Sequence, residues 1–237
     1  MTFTAILRTL LAGVSSRARV YGLLAVGVIG VVVAVVLSNS PHGSSVRETA
    51  ATLVDAYGLT LLIPVAALVF GTASMGDPIE DGTYVYLWLR PIRRGQISMA
   101  AYVVTLGLVI PLAVVPTVAA AAVLDHSSPM IMAAAASSLM AAVAYSAVFV
   151  LLGQVTQRAL VWGIGYLLIF EEFICRGGKS LGFVSVHSHA VSMLSHTAHV
   201  PMTLAKFSRP TSVAMTIAIT LLVLGASVRR QSSMTVA

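Results

Sequence analysis

The chain has 237 residues, of which 58% are hydrophobic and 9% carry a formal charge. Soluble domains contain roughly 25% charged residues, so this composition excludes a water-soluble globular protein. The net charge of +6 lies in short segments between long apolar runs, which is typical of membrane topology and argues against a nucleic-acid-binding face. We therefore expect an all-α polytopic membrane protein with six transmembrane helices and no nucleic-acid partner.

Residues 1–19 are predicted to form an amphipathic helix in the cytoplasmic membrane interface. Its apolar residues recur at helical spacing and share one stripe, which would face lipid. They are Phe3, Ile6, Leu7, Leu10, Leu11 and Val14. A frayed terminal tail is the alternative.

Long apolar segments occupy most of the remaining chain. A hydrocarbon core about 30 Å thick requires about 20 residues of helix to cross it. Spans one to six are predicted at residues 20–37, 50–74, 97–124, 130–153, 159–174 and 211–228. They make up a transmembrane domain of residues 20–228, with an extracellular segment at 175–210 and a cytoplasmic tail at 229–237.

Basic residues orient these spans. Six crossings place both termini on one side of the membrane, and that side holds nine basic residues: Arg8, Arg17, Arg19, Arg90, Arg93, Arg94, Arg158, Arg229 and Arg230. The opposite side holds five: Arg47, Arg176, Lys179, Lys206 and Arg209. Because Lys and Arg are enriched in cytoplasmic segments, we predict that both termini are cytoplasmic, in the inner or plasma membrane.

The loop of residues 76–96, between spans two and three, has an ordered pattern of charge. Acidic residues from Asp77 to Asp81 come first, at the expected start of a short helix, where carboxylates are favoured. Pro91 ends this helix, and three arginines beside it would meet anionic lipid headgroups: Arg90, Arg93 and Arg94. The pattern predicts a short amphipathic helix beneath the membrane. An ordinary charged connector is the alternative.

This loop resembles the corresponding loop of ABC-2 type transporter permeases. The residues that match the family pattern in order are Glu80, Asp81, Gly82, Thr83, Leu87, Leu89, Pro91 and Arg94. The resemblance extends to the amino-terminal helix, the six spans and the long outer segment before the last span. In that family the amino-terminal helix and the loop contact an ATPase subunit, and the loop forms a coupling helix. The resemblance assigns the coupling role here to Asp77, Glu80, Asp81, Gly82, Thr83, Leu87, Pro91 and Arg94.

An ATP-driven transporter also needs a phosphate-binding loop. The run Gly177-Gly178-Lys179-Ser180 is similar to part of one, but Phe173 stands where the pattern requires glycine. The chain is therefore predicted not to be an enzyme and to carry no cofactor of its own. The resemblance implies that ATP and Mg are bound by two ABC ATPase subunits, and that a second permease half, identical or related, completes the pathway in membrane lipid.

Three acidic residues lie near the predicted outer ends of spans two and five: Asp55, Glu171 and Glu172. Ionisable residues inside spans are costly and are functional candidates by default. They could form an outer gate or a vestibule that attracts cations. Alternatively, they reach water or pair with Arg47 and Arg176.

The outer segment also contains four histidines: His187, His189, His196 and His199. Imidazole is a good zinc ligand, but no carboxylate or thiol lies between Gly177 and Pro210 to complete a site, so no metal is predicted and the histidines are expected at the surface. Cys175, the single cysteine, excludes an internal disulfide. Residues 181–191 and 200–204 are apolar enough to enter the outer leaflet.

The function expected from the resemblance is that of the permease subunit of an ATP-driven exporter. The spans carry almost no charge at mid-depth, which favours an amphipathic substrate such as a drug, an antimicrobial compound or a lipid. One alternative is a membrane anchor or assembly subunit of a larger complex. Another is an ion-coupled secondary transporter, which would be expected to carry carboxylates near the bilayer midplane.

Overall fold

The computed structural model describes residues 3–40, 45–80, 94–156, 158–174 and 182–233, and these residues contain helices and no strand. The first helices are α1 (Phe3–Val14), α2 (Arg17–Ser38) and α3, which runs continuously through Val46–Leu53, Val54–Leu62 and Ile63–Glu80. Next come α4 (Arg94–Val109, Ile110–Val114 and Val115–Leu124) and α5 (Ser128–Val155). The last are α6 (Ala159–Gly165 and Tyr166–Ile174), α7 (Val186–Ala198) and α8 (Arg209–Ser233).

Five helices are long and apolar enough to cross a membrane: Arg17–Ser38, Val46–Pro78, Gly95–Leu124, Ser128–Val155 and Arg209–Gln231. They coincide with predicted spans one to four and span six. A shorter apolar helix, Ala159–Glu171, coincides with predicted span five. The prediction of an all-α, multi-pass membrane protein is thereby confirmed.

Polar contacts between helix ends show that α2, α3 and α4 run in alternating directions. Arg19 at the start of α2 contacts Asp77 near the end of α3. Arg47 at the start of α3 contacts Asp125, which follows the end of α4. We call the end that holds Arg19 and Asp77 the inner end, and the end that holds Arg47 and Asp125 the outer end.

Two of the long helices contain a π-helical segment that ends two residues before a proline. Pro64 cannot donate a backbone hydrogen bond, and in the preceding segment Val54–Leu62 the chain widens so that Ile63 N–H bonds to Gly58 O. Pro116 follows the segment Ile110–Val114 in the same way, with Val115 N–H bonding to Ile110 O. A third π segment, Tyr166–Ile174, lies in α6. The first and third segments carry Asp55 and Glu171.

The α1 helix uses its apolar stripe against protein, which differs from the predicted lipid-facing role. Ile6 and Leu10 are buried, and they pack with Met75 at the inner end of α3 and Ile97 of α4. Leu7 packs beside them, Val14 is buried in the main core, and the side chain of Phe3 lies outside the described residues. Leu11 alone of the described stripe is exposed, at 43%. The stripe therefore docks α1 on the bundle.

The α7 helix packs inside the outer end of the bundle and not in lipid, contrary to the prediction for residues 181–191. It contacts α5, α8 and the π segment of α3. Its apolar residues are buried: Val186, Ala190, Val191, Leu194 and Ala198. Its polar residues His187, Ser188, His189 and Ser192 are buried as well. The expectation of surface histidines was thus wrong for His187 and His189.

Candidate functional site

Polar side chains from three helices meet at the outer end of the bundle. We call this group the outer polar cluster; it consists of Asp55 in α3, Tyr166 and Glu171 in α6, Ser185 at the N-cap of α7, and His187 in α7. The π segments of α3 and α6 supply the acidic members. Because a π turn rotates side chains relative to a regular α-helix, it can direct a single polar residue inward from an otherwise apolar span.

Glu171 is the hydrogen-bonding centre of the outer polar cluster and is only 3% exposed. Its Oε2 accepts a hydrogen bond from Ser185 Oγ at 2.5 Å. Its Oε1 accepts bonds from Val186 N–H at 3.0 Å and from Tyr166 Oη at 3.1 Å. A buried carboxylate with three donors is well satisfied, since hydrogen bonds to a charged acceptor are stronger than neutral ones. Glu171 therefore ties α6 to the first turn of α7.

Asp55 and His187 form the second contact of the cluster. His187 Nε2 lies 3.2 Å from Asp55 Oδ1, with side-chain exposures of 3% for His187 and 20% for Asp55. The pair connects the first turn of α7 to the π segment of α3. Because Val186 binds Glu171 and the next residue meets Asp55, both acids hold the same end of α7.

His189 follows two residues after His187, in the same first turn of α7. Its Nε2 is 2.9 Å from Phe183 O, and its ring lies against Phe207 with centroids 4.8 Å apart. Burial lowers the pKa of the His189 imidazole below its ordinary value, and this effect outweighs the Phe183 carbonyl and the Glu171 carboxylate, which both raise it. The neutral ring can donate from Nε2 to Phe183 O.

The outer polar cluster attaches α7 to the bundle. Asp55 Oδ1 and His187 Nε2 lie at ion-pair distance, and Glu171 accepts hydrogen bonds from three donors. Within the described ranges, no group of three or more His, Cys, Asp and Glu side chains is placed to hold a metal ion. The cluster thus joins α3 and α6 to the first turn of α7.

Two of the three predicted outer-gate acids meet at α7. Asp55 and Glu171 meet at α7, whereas the side chain of Glu172 lies outside the described residues. The alternative pairing of these acids with Arg47 was wrong. Arg47 Nε binds Asp125 Oδ2 at 3.2 Å, and its Nη2 donates to Ser127 Oγ at 3.3 Å. Arg176 is not among the described residues.

Sequence reasoning did not identify Tyr166, Ser185 and His187 as members of this site. One signal was available for Ser185, because a serine directly before an apolar run is typical of a helix N-cap. His187 could have been found as a partner for the intraspan acid Asp55, since such acids require one. Tyr166 gave no signal in the sequence.

The inner end carries the second candidate site, where α1 and α2 meet the start of the predicted coupling loop. Arg19 Nη1 donates to Asp77 Oδ2 at 2.7 Å, with side-chain exposures of 33% and 39%. Beside this ion pair, α1 packs on the inner ends of α3 and α4. The amino-terminal helix and the beginning of the loop are thus held on one surface.

The predicted position of Asp77 at the start of a short helix was wrong. The helix of span two continues through Asp77 and Pro78 to Glu80, so Asp77 lies near its C-terminal end, where the helix dipole disfavours a carboxylate. Arg19 provides the compensating charge. Glu80 and Arg94 belong to the flanking helices, but their side chains are not described. The other predicted coupling residues, Asp81, Gly82, Thr83, Leu87 and Pro91, lie outside the described residues.

No protein-family model matches this sequence, and no curated protein matches it.

A buried polar network also joins three helices at the inner end. Gln154 of α5 donates from Nε2 to Ser227 Oγ of α8 at 2.8 Å and to Ser98 Oγ of α4 at 3.3 Å. Ser227 Oγ donates in return to Gln154 Oε1 at 3.0 Å. Such interhelical hydrogen bonds hold membrane helices together where hydrophobic burial gives no driving force.

Proposed function

We propose that this chain is the permease subunit of an ABC-2 type ATP-driven exporter. In this proposal the chain crosses the membrane six times, with α2, α3, α4, α5, α6 and α8 as the spans, and has both termini in the cytoplasm. It pairs with a second permease half and with two ATPase subunits, which bind ATP and Mg. The substrate is amphipathic, because the spans offer little charge at mid-depth.

The observation that carries the proposal is the loop between α3 and α4, with its order of acidic residues, Gly82-Thr83, Leu87, Pro91 and basic residues. The neighbouring contacts support it. Arg19 anchors Asp77 at the entrance of the loop, and Ile6 and Leu10 dock α1 on the helices that flank it. A partner bound to this surface could touch α1 and the loop together, as the resemblance requires.

The coupling route follows from these contacts. A force applied to the loop acts on the inner end of α3, and α3 is continuous through the π segment Val54–Leu62 to the outer end. Asp55 in that segment contacts His187, so movement of α3 is transmitted to α7 through this contact. The outer polar cluster is then the outer gate, and closure of the ATPase dimer opens or closes it.

Co-purification tests this function. The tagged chain is extracted in mild detergent, and the purified material is searched for a P-loop ATPase and assayed for vanadate-sensitive ATP hydrolysis. We expect a stoichiometric ATPase chain and measurable hydrolysis. Recovery of the intact chain with neither would contradict the proposal.

Charge reversal in the loop tests the coupling role separately. The double variant Glu80→Lys, Asp81→Lys should insert normally but lose the ATPase subunit or its stimulation. Glu48→Lys, at the outer end, is the matched control, because it reverses an exposed acid far from the loop and its own cost is confined to the α3 cap, where Glu48 accepts from Ser45 N–H. If the double variant keeps a complex and transport equal to those of the control, the coupling role is wrong.

One observation favours a second candidate, an ion-coupled secondary transporter. Asp55 and His187 place a carboxylate and an imidazole in contact between a span and an inserted helix, and such residues are recurring elements of proton relays. Proteoliposomes with a pH gradient and an internal pH dye distinguish the two functions. Proton flux without ATP, abolished by Asp55→Asn, supports the second candidate; its absence supports the exporter.

A further inference from the structure

A cavity of about 220 Å³ opens at the inner end between α2, α3 and α6. Its polar lining consists of Arg19, Asp77, Arg158 and Thr72. The rest of the lining is apolar or glycine: Val69, Ala73, Gly76, Ala159, Leu160 and Val161. The cavity thus has a charged mouth and an apolar wall.

The charges at the mouth do not cancel. The Arg19 guanidinium is paired with the Asp77 carboxylate at 2.7 Å, which neutralises both. Arg158 lines the same cavity and is exposed, and its guanidinium has no hydrogen-bond or ion-pair partner within the described part of the chain. The cavity therefore presents one uncompensated cation, which fits a singly charged anion such as a phosphodiester.

The apolar wall indicates that this anion carries hydrocarbon. Leu160 and Val161 are 48% and 67% exposed, and they continue from the cavity onto the exposed side of α6. A free inorganic phosphate would gain nothing from such a wall. A phospholipid can place its phosphate at Arg158 and lay an acyl chain along Leu160 and Val161.

We propose that this cavity binds an anionic phospholipid at the inner end of the bundle, with Arg158 as the phosphate ligand. Basic pockets between helices at the cytoplasmic membrane surface are suited to such headgroups. The bound lipid bridges α2, α3 and α6, and the last two of these helices carry the acidic members of the outer polar cluster. The proposal does not depend on the identity of the transported substrate or on an ATPase partner.

Native mass spectrometry of the purified chain, titrated with phosphatidylglycerol or phosphatidylcholine, tests the site. We expect retention of phosphatidylglycerol over phosphatidylcholine, and roughly fivefold weaker binding in Arg158→Gln, since one arginine near an anionic surface contributes about 1 kcal/mol. Arg8→Gln is the matched control, because it removes an exposed charge of α1 that does not line the cavity. Its lipid binding should equal that of the wild type.

A second variant tests the cavity independently of charge. Gly76 lines the cavity, and a Cβ atom built there would meet only Gly153 O, at 3.9 Å. Gly76→Leu should fill the space and reduce phosphatidylglycerol binding with Arg158 intact. Equal binding by wild type, Arg158→Gln and Gly76→Leu would overturn the proposal. So would a thermal stabilisation by inorganic phosphate in lipid-free detergent as large as that by phosphatidylglycerol, because the ligand would then be a soluble anion.

Discussion

Gln154 and Ser227 exchange hydrogen bonds in both directions across the interface between α5 and α8, at 2.8 and 3.0 Å. Both side chains are buried. The pair lies near the inner ends of the two helices, and it fixes their relative height and rotation there. Buried polar contacts of this kind specify one arrangement among several that are equally apolar.

Ser227→Ala should destabilise the bundle by about 1 kcal/mol, because it removes both bonds and leaves the Gln154 amide only partly satisfied. Ser146→Ala in α5 is the control. Ser146 is equally buried, and its Oγ has no hydrogen-bond partner among the described residues, so its removal should be neutral or stabilising. Unfolding in mixed micelles of increasing SDS fraction measures both variants. Equal losses would show that the network contributes nothing specific.

Gly30 is required by the close approach of α2 to α3. A Cβ atom on Gly30 would overlap the Tyr57 ring, and the Tyr57 hydroxyl donates a hydrogen bond to Val26 O, which keeps the ring in place. Gly30→Ala should therefore cost about 1–3 kcal/mol. Gly22→Ala on the same helix should be tolerated, because a Cβ atom there meets open space.

The background variant Tyr57→Ala provides the internal check on this explanation. If steric overlap with the ring is the cause, Gly30→Ala should reduce the free energy of unfolding much less in the Tyr57→Ala background. The SDS unfolding curve of the double variant should then lie close to that of Tyr57→Ala alone. A loss that is unchanged without the tyrosine ring would assign the effect to the helix backbone.

Sequence reasoning identified the long helices because it rests on apolar length, and α2, α3, α4, α5 and α8 all have it. It also identified the stripe of α1, whose periodicity is local. It assigned the wrong partner to that stripe, since periodicity shows which face is apolar and does not show whether lipid or protein covers it. The burial of Ile6 and Leu10 could be predicted only if their packing against Met75 and Ile97 were known.

The position of α7 could not be predicted for a related reason. Its first turn contains His187, Ser188 and His189, which predict exposure when considered one at a time. Their burial is tolerated because Asp55 and Glu171, distant in sequence, contact this turn. The intraspan acids were recognised as unusual, but their partners depend on how three helices pack.

Docking of α7 should weaken as the pH falls below neutrality. The pKa of His189 in the folded protein lies below its ordinary value of 6.5, so the undocked state binds the proton more tightly. The stabilisation is therefore complete above pH 6.5 and is lost as the pH falls through the folded-state value. Hydrogen exchange of residues 186–198, corrected for the intrinsic pH dependence, should show faster opening at pH 5.5 than at pH 7.5.

His189→Gln tests the assignment, because glutamine can still donate to Phe183 O but does not titrate in this range. Its exchange should depend less on pH than that of the wild type. His126→Gln, at an exposed position after α4, should retain the wild-type dependence. If the pH dependence survives in His189→Gln, another group causes it. His187, which contacts Asp55, would be the first residue to test.

The bond between Glu171 and Ser185 should be measurable as a coupling free energy. Ser185→Ala removes the donor to Glu171 and also the N-cap acceptor for Ser188 N–H, which by itself contributes about 1 kcal/mol. Glu171→Gln removes the charge that strengthens the shared bond. Because the two residues contact each other, the double variant should lose less free energy of unfolding than the sum of the two single losses, by about 1 kcal/mol.

Ser45→Ala separates capping from coupling in this experiment. Ser45 caps α3 through a reciprocal bond with Glu48 and has no contact with Glu171, so its loss should add to that of Glu171→Gln without interaction. SDS unfolding of the two cycles gives both coupling values. If the Ser185 cycle is as additive as the Ser45 cycle, Glu171 does not hold α7 through Ser185. The attachment of α7 then depends on the bond from Val186 N–H to Glu171 and on the contact between Asp55 and His187.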